Sequence, residues 1–145
     1  MSFTTKRELL GKRGFGQCIA VDFDGVLHMY TSPWTNAHTI DDAPVPGAIE
    51  WLHKMVQDFD VKIFSSRCKT WRGRRAIRAW LKYNAGMLWY EGMGTEGLET
   101  IEIVKDKPPA MLIIDDRAWR FTGDNYPSVE DIYAAKPWNK MENKL

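Results

Sequence analysis

Two acidic pairs occur in this sequence, each directly after a short apolar run. Asp22 and Asp24 follow the run at 18–21, and Asp115 and Asp116 follow the run at 110–114. Side chains of a β-strand alternate between the two faces of the sheet, so Asp22 and Asp24 point to the same face if the strand geometry continues through them. Four converging carboxylates repel one another strongly unless a cation or shared protons compensate their charge. An oxygen-rich site of this kind suits Mg²⁺, which prefers octahedral oxygen coordination and usually keeps several waters.

Carboxylates that hold Mg²⁺ are suited to phosphoryl transfer. The metal neutralises the phosphate and the attacking carboxylate, so that two anions can approach each other. An aspartate can attack phosphorus to form an acyl phosphate, and a second carboxylate can protonate the leaving alcohol and later activate water. The hydroxyl of Ser65 and the ammonium group of Lys107 are candidates for binding the phosphoryl oxygens.

Three apolar runs predict the strands that position these residues. The runs at 18–23, 61–64 and 110–114 each end in polar residues. Continuous apolar runs are typical of central parallel strands that are buried on both faces. In an open α/β sheet, ligands bind at the carboxyl ends of such strands. We therefore predict an α/β fold with a Rossmann-like, doubly wound parallel sheet.

Helical patterns alternate with these runs. Apolar residues at helical spacing predict helices at 46–56 and 71–83. Ser128 begins a segment that is typical of a capped helix start. Residues 28–45 are rich in turn formers and predict a loop or a small hairpin, and residues 98–104 predict a further strand.

The composition is that of an ordinary globular chain. It has 145 residues, 44% of them hydrophobic and 27% charged, which predicts a single domain over residues 1–145. No run approaches the roughly 20 apolar residues of a membrane helix. Residues 1–8 lack the apolar stretch of a secretory signal, so we expect a cytoplasmic location. The net charge of +1 provides no whole-molecule field that would attract nucleic acid.

The order and spacing of the polar residues resemble the haloacid dehalogenase-like hydrolase superfamily over about residues 18–121. Asp22-Phe23-Asp24-Gly25-Val26 looks like its first motif. The matches to the second, third and fourth motifs are, in that order, Ser65, Lys107 and Asp115-Asp116. The resemblance implies that Asp22 is the nucleophile and Asp24 the acid/base. It also implies that Asp22, the backbone carbonyl of Asp24 and the late acidic pair position Mg²⁺.

The same resemblance bears on the activity and on the access to the site. The second aspartate of the first motif favours a phosphatase over a dehalogenase, because phosphate leaving groups need the acid. Many members insert a cap domain after the first or second motif, and the intervals here leave no room for a large one. We expect a minimal cap or none, and an open site unless a partner subunit covers it. Lys105 competes with Lys107 for the role of the third-motif lysine.

Two short stretches resemble the phosphatase domain of phage-type polynucleotide kinase-phosphatases. They are Ser65-Ser66-Arg67 and Asp115-Asp116-Arg117, and no kinase-type phosphate loop accompanies them. We predict that Ser65, Ser66 and Arg67 bind substrate together with Lys107, the match to the third motif of the superfamily. The resemblance favours a nucleotide or a nucleic-acid 3′-phosphate end as the substrate, ahead of a sugar phosphate. The partner is then a phosphorylated small molecule or a nucleic-acid end, and a homo-oligomer is left open.

A basic stretch begins beside Ser65 and has two interpretations. It contains seven basic residues and no acidic one, namely Arg67, Lys69, Arg72, Arg74, Arg75, Arg78 and Lys82. The first interpretation is the solvated face of an amphipathic helix. The second is a surface for additional substrate phosphates, with Trp34, Trp71 and Trp89 available for base stacking.

A rival from another class is a non-hydrolytic signalling domain that accepts a phosphoryl group on an aspartate. In such receivers the acidic pair normally comes early and the lysine late, whereas Asp115 and Asp116 come late here. A catalytically silent binding protein on the same fold is a third alternative, which the complete set of acidic residues disfavours. The sequence leaves the physiological substrate and the oligomeric state open.

Overall fold

The structure of the chain, a computed structural model, describes residues 17–136 and Trp138. A four-stranded, all-parallel sheet has the order β3-β2-β1-β4. Its strands are β1 (Cys18–Val21), β2 (Asp60–Ile63), β3 (Glu102–Ile103) and β4 (Leu112–Ile114). The α-helices are α1 (Ala48–Asp58), α2 (Trp71–Tyr90) and α3 (Val129–Ala134). The predicted α/β class and parallel sheet are confirmed. The prediction on residues 1–8, and both ends of the predicted domain at 1–145, lie outside the described residues.

The central strand is β1, which pairs with β2 on one side and β4 on the other. All four of its residues are buried. In register, Ile19 and Val21 stand opposite Val61 and Ile63 of β2, and all four side chains join one hydrophobic cluster. The apolar run of β1 therefore reflects a strand enclosed on both faces, as predicted.

Both long helices pack on the face of the sheet that carries Ile19 and Val61. The buried residues of α1, such as Leu52, and of α2, such as Ile77, belong to the same cluster as these strand residues. On the opposite face, the half-buried Lys62 stands beside Ala20. Within the described residues, the two long helices thus cover one face of the sheet. The strand order β3-β2-β1-β4 reverses direction at β1, which is compatible with the predicted Rossmann-like sheet.

The strand β4 differs from the prediction of a strand buried on both faces. It lies at the edge of the sheet, and Leu112 and Ile113 keep 45% and 38% of their surface exposed. Apolar composition alone does not distinguish a central strand from an edge strand, because burial depends on what packs beside it. The predicted strand at 98–104 is confirmed only in part, since a 3₁₀ turn at Leu98–Thr100 precedes the two-residue β3.

Local chemistry sets the helix boundaries. Helix α1 begins two residues later than predicted, because Gly47 adopts a φ of 84° that is outside the helical region. Helix α2 begins where the Thr70 side chain accepts a hydrogen bond from the Gly73 amide. It continues past the predicted end at residue 83 and closes at Gly92, whose φ is 82°. The Gly92 and Met93 amides donate back to Trp89 and Leu88, which is the Schellman motif.

The predicted capped start at Ser128 is confirmed. The Ser128 hydroxyl accepts from the Asp131 amide, and the Asp131 carboxylate accepts from the Ser128 amide. The segment at 28–45 forms a loop held by isolated bridges from His28 to Asp24 and Pro44. Between 17 and 136 the chain inserts no additional domain between the strands. None of the helices in this part of the chain combines the length and the apolarity of a membrane-crossing helix.

Candidate active site

The carboxyl ends of β1 and β4 bring three aspartates together. Beyond the last paired residues, the Asp22 amide donates to the Ile114 carbonyl at 2.9 Å, which places Asp22 beside the residue that follows β4. One carboxylate oxygen from each of Asp22, Asp115 and Asp116 lies within 4.8 Å of the other two. Adjacent parallel strands end at the same edge of the sheet, so two segments far apart in sequence form one acidic cluster.

This cluster is electrostatically uncompensated. Burial, followed by the charges of Asp115, Asp116 and Asp24, raises the pKa of Asp22 to about 7, although the Phe23 amide donates to Asp22 Oδ1 at 2.8 Å and opposes the shift. Burial is also the largest cause that raises the pKa of Asp116. Both shifts mean that positive neighbours do not offset the burial and mutual repulsion of these carboxyls, although the charge of Arg117 opposes the rise in the pKa of Asp116.

The oxygen Asp116 Oδ1 is buried and has no hydrogen-bond partner. Gly25 lies close to the other oxygen of this carboxylate: a Cβ at Gly25 would overlap Asp116 Oδ2, and Gly25 has a φ of 81°. Leaving a buried charged oxygen unpaired is costly. A hard divalent cation would satisfy this oxygen, and the all-oxygen donor set of Asp22, Asp115 and Asp116 suits Mg²⁺.

The fourth carboxylate, Asp24, is bound by donors. Arg67 Nε donates to both of its oxygens, at 3.0 Å to Oδ1 and 2.8 Å to Oδ2, and His28 Nδ1 lies 2.9 Å from Oδ1. The Asp42 amide donates to His28 Nε2 at 3.0 Å. Because Nε2 accepts that bond, Nδ1 carries the proton and donates to Asp24. Asp24 is therefore held in a defined orientation at the rim of the cluster.

The guanidinium of Arg67 also fixes the loop that follows β1. Its Nη1 donates to the carbonyls of Asn36, Ala37 and Thr39 at 3.1, 3.2 and 2.9 Å. The sequence predicts Arg67 to bind substrate, but this side chain is only 2% exposed. In the structure, Arg67 connects Asp24 to the loop, and its role toward a substrate stays a prediction.

Two cavities meet at Asp22. The first, which we call the aromatic cavity, has a volume of about 310 Å³ and is lined by Asp22, Asp24, Tyr30, Trp34, Ser66, Asp116 and Arg117. The second, which we call the lysine cavity, has a volume of about 690 Å³. Its walls include Asp22, Asp115 and Lys107. The nucleophile candidate thus faces both spaces.

The remaining predicted residues occupy different positions. Lys107 lines the lysine cavity, whereas Lys105 does not. Ser65 is 5% exposed, and its hydroxyl accepts from the Arg67 amide at 3.0 Å, which caps the 3₁₀ turn at Ser66–Lys69. Its neighbour Ser66 lines the aromatic cavity. Ser66 and Lys107 are therefore on cavity walls, while Ser65 stands behind them.

Several basic residues of the stretch 67–82 make contacts within the protein. Arg74 donates to the Cys68 carbonyl at 2.7 Å, and Arg78 donates to the Ile101 carbonyl. Arg72, Arg75 and Lys82 are exposed on α2. The part of this stretch that remains accessible to an anion is smaller than the sequence suggests.

Three residues that the structure brings to the site are not among the predicted catalytic, substrate-binding or metal-binding residues. His28 orients Asp24, and Tyr30 and Arg117 line the aromatic cavity. His28 follows the first acidic pair, a position that could place it at the entrance. Tyr30 offers no periodic signal, because it lies in an irregular loop and adopts an unusual positive φ of 55°.

Comparisons with protein-family profiles, with curated proteins and with solved structures found no match to this chain.

Proposed function

We propose that this chain is a Mg²⁺-dependent phosphatase that hydrolyses phosphate monoesters through an aspartyl-phosphate at Asp22. The proposal includes a haloacid dehalogenase-like fold with a minimal cap or none. The observation that carries it is the uncompensated cluster of Asp22, Asp115 and Asp116, whose oxygens converge within 4.8 Å. The unpartnered Asp116 Oδ1 is the specific sign that a cation belongs there.

In this proposal the three aspartates hold Mg²⁺, as the donor set fits this ion. When bound, the ion supplies positive charge that offsets the repulsion between phosphate and carboxylate. Lys107, on the wall of the lysine cavity, and Arg117, on the wall of the aromatic cavity, provide cationic donors for phosphoryl oxygens. The Ser66 hydroxyl is a further donor at the same position.

The reaction has two steps on this chain's residues. A carboxylate oxygen of Asp22 attacks phosphorus, and the bond from phosphorus to the leaving oxygen breaks as Asp24, in its protonated form, donates a proton to that oxygen. Asp24 then takes a proton from a water that attacks the same phosphorus. The Asp22–phosphorus bond breaks, and inorganic phosphate leaves. The contacts with Arg67 and His28 support the orientation that this role requires, and they are contacts of the carboxylate form of Asp24, which takes the proton in the second step.

The preferred substrate is a nucleotide or a nucleic-acid 3′-phosphate end, ahead of a sugar phosphate. The lack of an inserted cap between 17 and 136 supports access for a bulky phosphorylated end. The exposed Arg72, Arg75 and Lys82 on α2 would contribute a modest, salt-sensitive attraction for a polyanion.

Phosphate release by Asp22→Asn protein tests the mechanism. We expect wild-type protein with Mg²⁺ to release phosphate from a nucleoside 3′-monophosphate, and the variant to lose turnover because an amide oxygen is a poor nucleophile. Asp124→Asn is the matched control, since Asp124 is an exposed aspartate outside the cavities. A variant at Asp22 that folds and retains full activity would contradict the mechanism.

A long-lived phosphorylated protein would also contradict it. If Asp22 becomes labelled by a phosphoryl donor and phosphate is not released, the chain is a phospho-acceptor rather than a phosphatase. Measuring both the covalent label and the free phosphate in one time course separates these two functions.

A further inference from the structure

We propose that Trp34, assisted by Tyr30, is a stacking platform for an aromatic leaving group, so that the ester carries a nucleobase close to the phosphate. The inference rests on the proposed function and specifies the substrate class of that same site. It concerns the aromatic cavity, whose walls combine the two rings with the carboxylates of Asp22 and Asp24.

The position of the acid determines which cavity receives the leaving group. Asp22 faces both cavities, but Asp24 lines only the aromatic one of the two. A general acid must be within hydrogen-bond reach of the oxygen that it protonates. The group attached to that oxygen therefore occupies the aromatic cavity, while Lys107 on the other side faces the phosphoryl group.

The ring of Trp34 is available for such a contact. Its indole is 49% exposed, and the guanidinium carbon of Arg67 lies 4.6 Å from the ring centroid. The ring of Tyr30 stands nearly perpendicular to it, at 76° and 6.5 Å between centroids. The guanidinium of Arg67 lies over the Trp34 ring, and Trp34 lines the aromatic cavity. A planar base can stack on this surface, since every base offers a π-face.

The loop that carries Trp34 is anchored by hydrogen bonds within the protein. The Thr31 and Ser32 amides donate to Asp42 Oδ2 at 2.9 and 2.8 Å, and Arg67 holds three carbonyls farther along the loop. Anchors at both ends of this loop reduce the entropy that binding would otherwise cost. A half-exposed tryptophan on a fixed loop beside catalytic carboxylates is thus suited to recognition.

The size of the cavity limits what can be recognised. Its volume of about 310 Å³ is at the small end of ligand cavities, which span roughly 300–1,000 Å³. This space suits one terminal nucleotide unit. A free nucleotide and a nucleic-acid end both present one base attached to the phosphorylated sugar, and this is the unit that the cavity would recognise.

The test compares substrates with and without a base in each of four proteins. We would measure kcat/KM for a nucleoside 3′-monophosphate, for a short oligonucleotide with a 3′-phosphate and for ribose 5-phosphate. The proteins are wild type, Trp34→Leu, Trp34→Phe and Trp71→Leu. Trp71 is the matched control because it is 60% exposed on α2 and lines neither cavity.

The readout is the preference for the base, expressed as the ratio of kcat/KM for the nucleotide to that for ribose 5-phosphate. We expect this ratio to fall about tenfold in Trp34→Leu, as loss of one stacking contact predicts. Trp34→Phe should retain most of it, and Trp71→Leu all of it. If Trp34 only covers Arg67, activity on both substrates falls together and the ratio stays constant, which would overturn the inference.

The oligonucleotide distinguishes the two sources of the base. A higher kcat/KM for the oligonucleotide than for the mononucleotide assigns the site to nucleic-acid ends, and the reverse assigns it to free nucleotides. In either case the Trp34→Leu loss supports stacking.

If no substrate is hydrolysed, the proposed phosphatase function is refuted, but the stacking proposal is not. Measurements of ligand binding then test the stacking proposal. Calorimetry with wild-type protein and Mg²⁺ should then show the nucleoside monophosphate binding about tenfold more tightly than ribose 5-phosphate. Trp34→Leu should abolish this difference, and equal affinities in wild type would overturn the stacking proposal.

Discussion

The carboxylate of Asp24 lies beside a cluster of three other aspartates, and the described part of the chain provides basic side-chain donors for Asp24 but not for the cluster. Asp24 accepts hydrogen bonds from Arg67 and from His28, so its charge is met by the protein. Asp22, Asp115 and Asp116 converge, and burial raises the pKa of Asp22 and of Asp116. This difference separates a carboxylate whose contacts lie within the protein from a cluster of carboxylates that binds Mg²⁺ in the proposed function.

The largest expected effect comes from removing the donor that binds Asp24. Replacing Arg67 with Met removes a buried cation, so that Asp24 and three loop carbonyls lose their donor. We expect the free energy of unfolding to fall by about 3–5 kcal/mol, the cost of breaking a buried ion pair. Urea denaturation measures it.

Two further substitutions sharpen this result. Arg67→Lys keeps the charge without the fork of donors and should lose less stability. Arg72→Met changes an exposed arginine and should stay within about 0.5 kcal/mol of wild type. Equal stability of Arg67→Met and Arg72→Met would show that the contacts of Arg67 carry no weight.

The uncompensated side should respond to metal. Mg²⁺ at about 100 times its Kd should stabilise the fold by about 2.7 kcal/mol, because it binds only the assembled aspartates. Differential scanning calorimetry with Mg²⁺ and with EDTA detects this as a rise in Tm. Asp116→Asn should abolish the rise, since the substitution removes the charge of the unpartnered carboxylate, and Asp124→Asn should retain it. A Tm that ignores Mg²⁺ in wild type would remove the basis for the metal site.

The smallest expected effect is the dependence of the free energy of unfolding on pH in the metal-free protein. The pKa of Asp22 is about 7 when folded, against 3.8 as its ordinary value. The folded state therefore binds the proton more tightly, and stability declines as the pH rises from about 4 to about 7. Because Asp22 is half-buried, solvent screening reduces the effect to about 1 kcal/mol.

Unfolding in EDTA at several pH values measures this decline. Asp22→Asn should reduce it, because one of the two carboxyls with a raised pKa is gone, and Mg²⁺ should suppress it in wild type. A stability that instead increases over this pH range in EDTA would contradict the uncompensated cluster.

Much of the fold was predictable from local patterns. The runs at 18–21 and 61–63 became strands of a parallel sheet, and the capping pattern at Ser128 became a capping box. The predicted helix boundaries were wrong where the conformation of a single residue sets the end of the helix, as Gly47 does at the start of α1. The prediction that β4 is buried on both faces was wrong for a different reason. An apolar run does not indicate which elements pack beside it, and Leu112 is 45% exposed at the sheet edge.

The site was predictable as a set of residue types and not as a set of contacts. The acidic residues could be recognised because each pair follows a strand-like run. The contacts of Arg67 could not be predicted, since its partner Asp24 is 43 positions away along the chain and the sequence pattern does not distinguish a buried arginine from an exposed one. The separation of Ser65 from Ser66, one behind the cavity wall and one on it, likewise depends on the direction of each side chain.

By itself, the sequence determined the α/β class, the parallel strands and the clustering of acidic residues at their carboxyl ends. These follow from hydrophobic periodicity and from the geometry of parallel sheets, which act over short stretches of chain. Tertiary structure alone decided that Arg67 and His28 donate to Asp24, and that Asp22, Asp115 and Asp116 converge within 4.8 Å of one another. That division depends on burial and on distances of a few ångströms between segments far apart in sequence, and electrostatic interactions are decided at that scale.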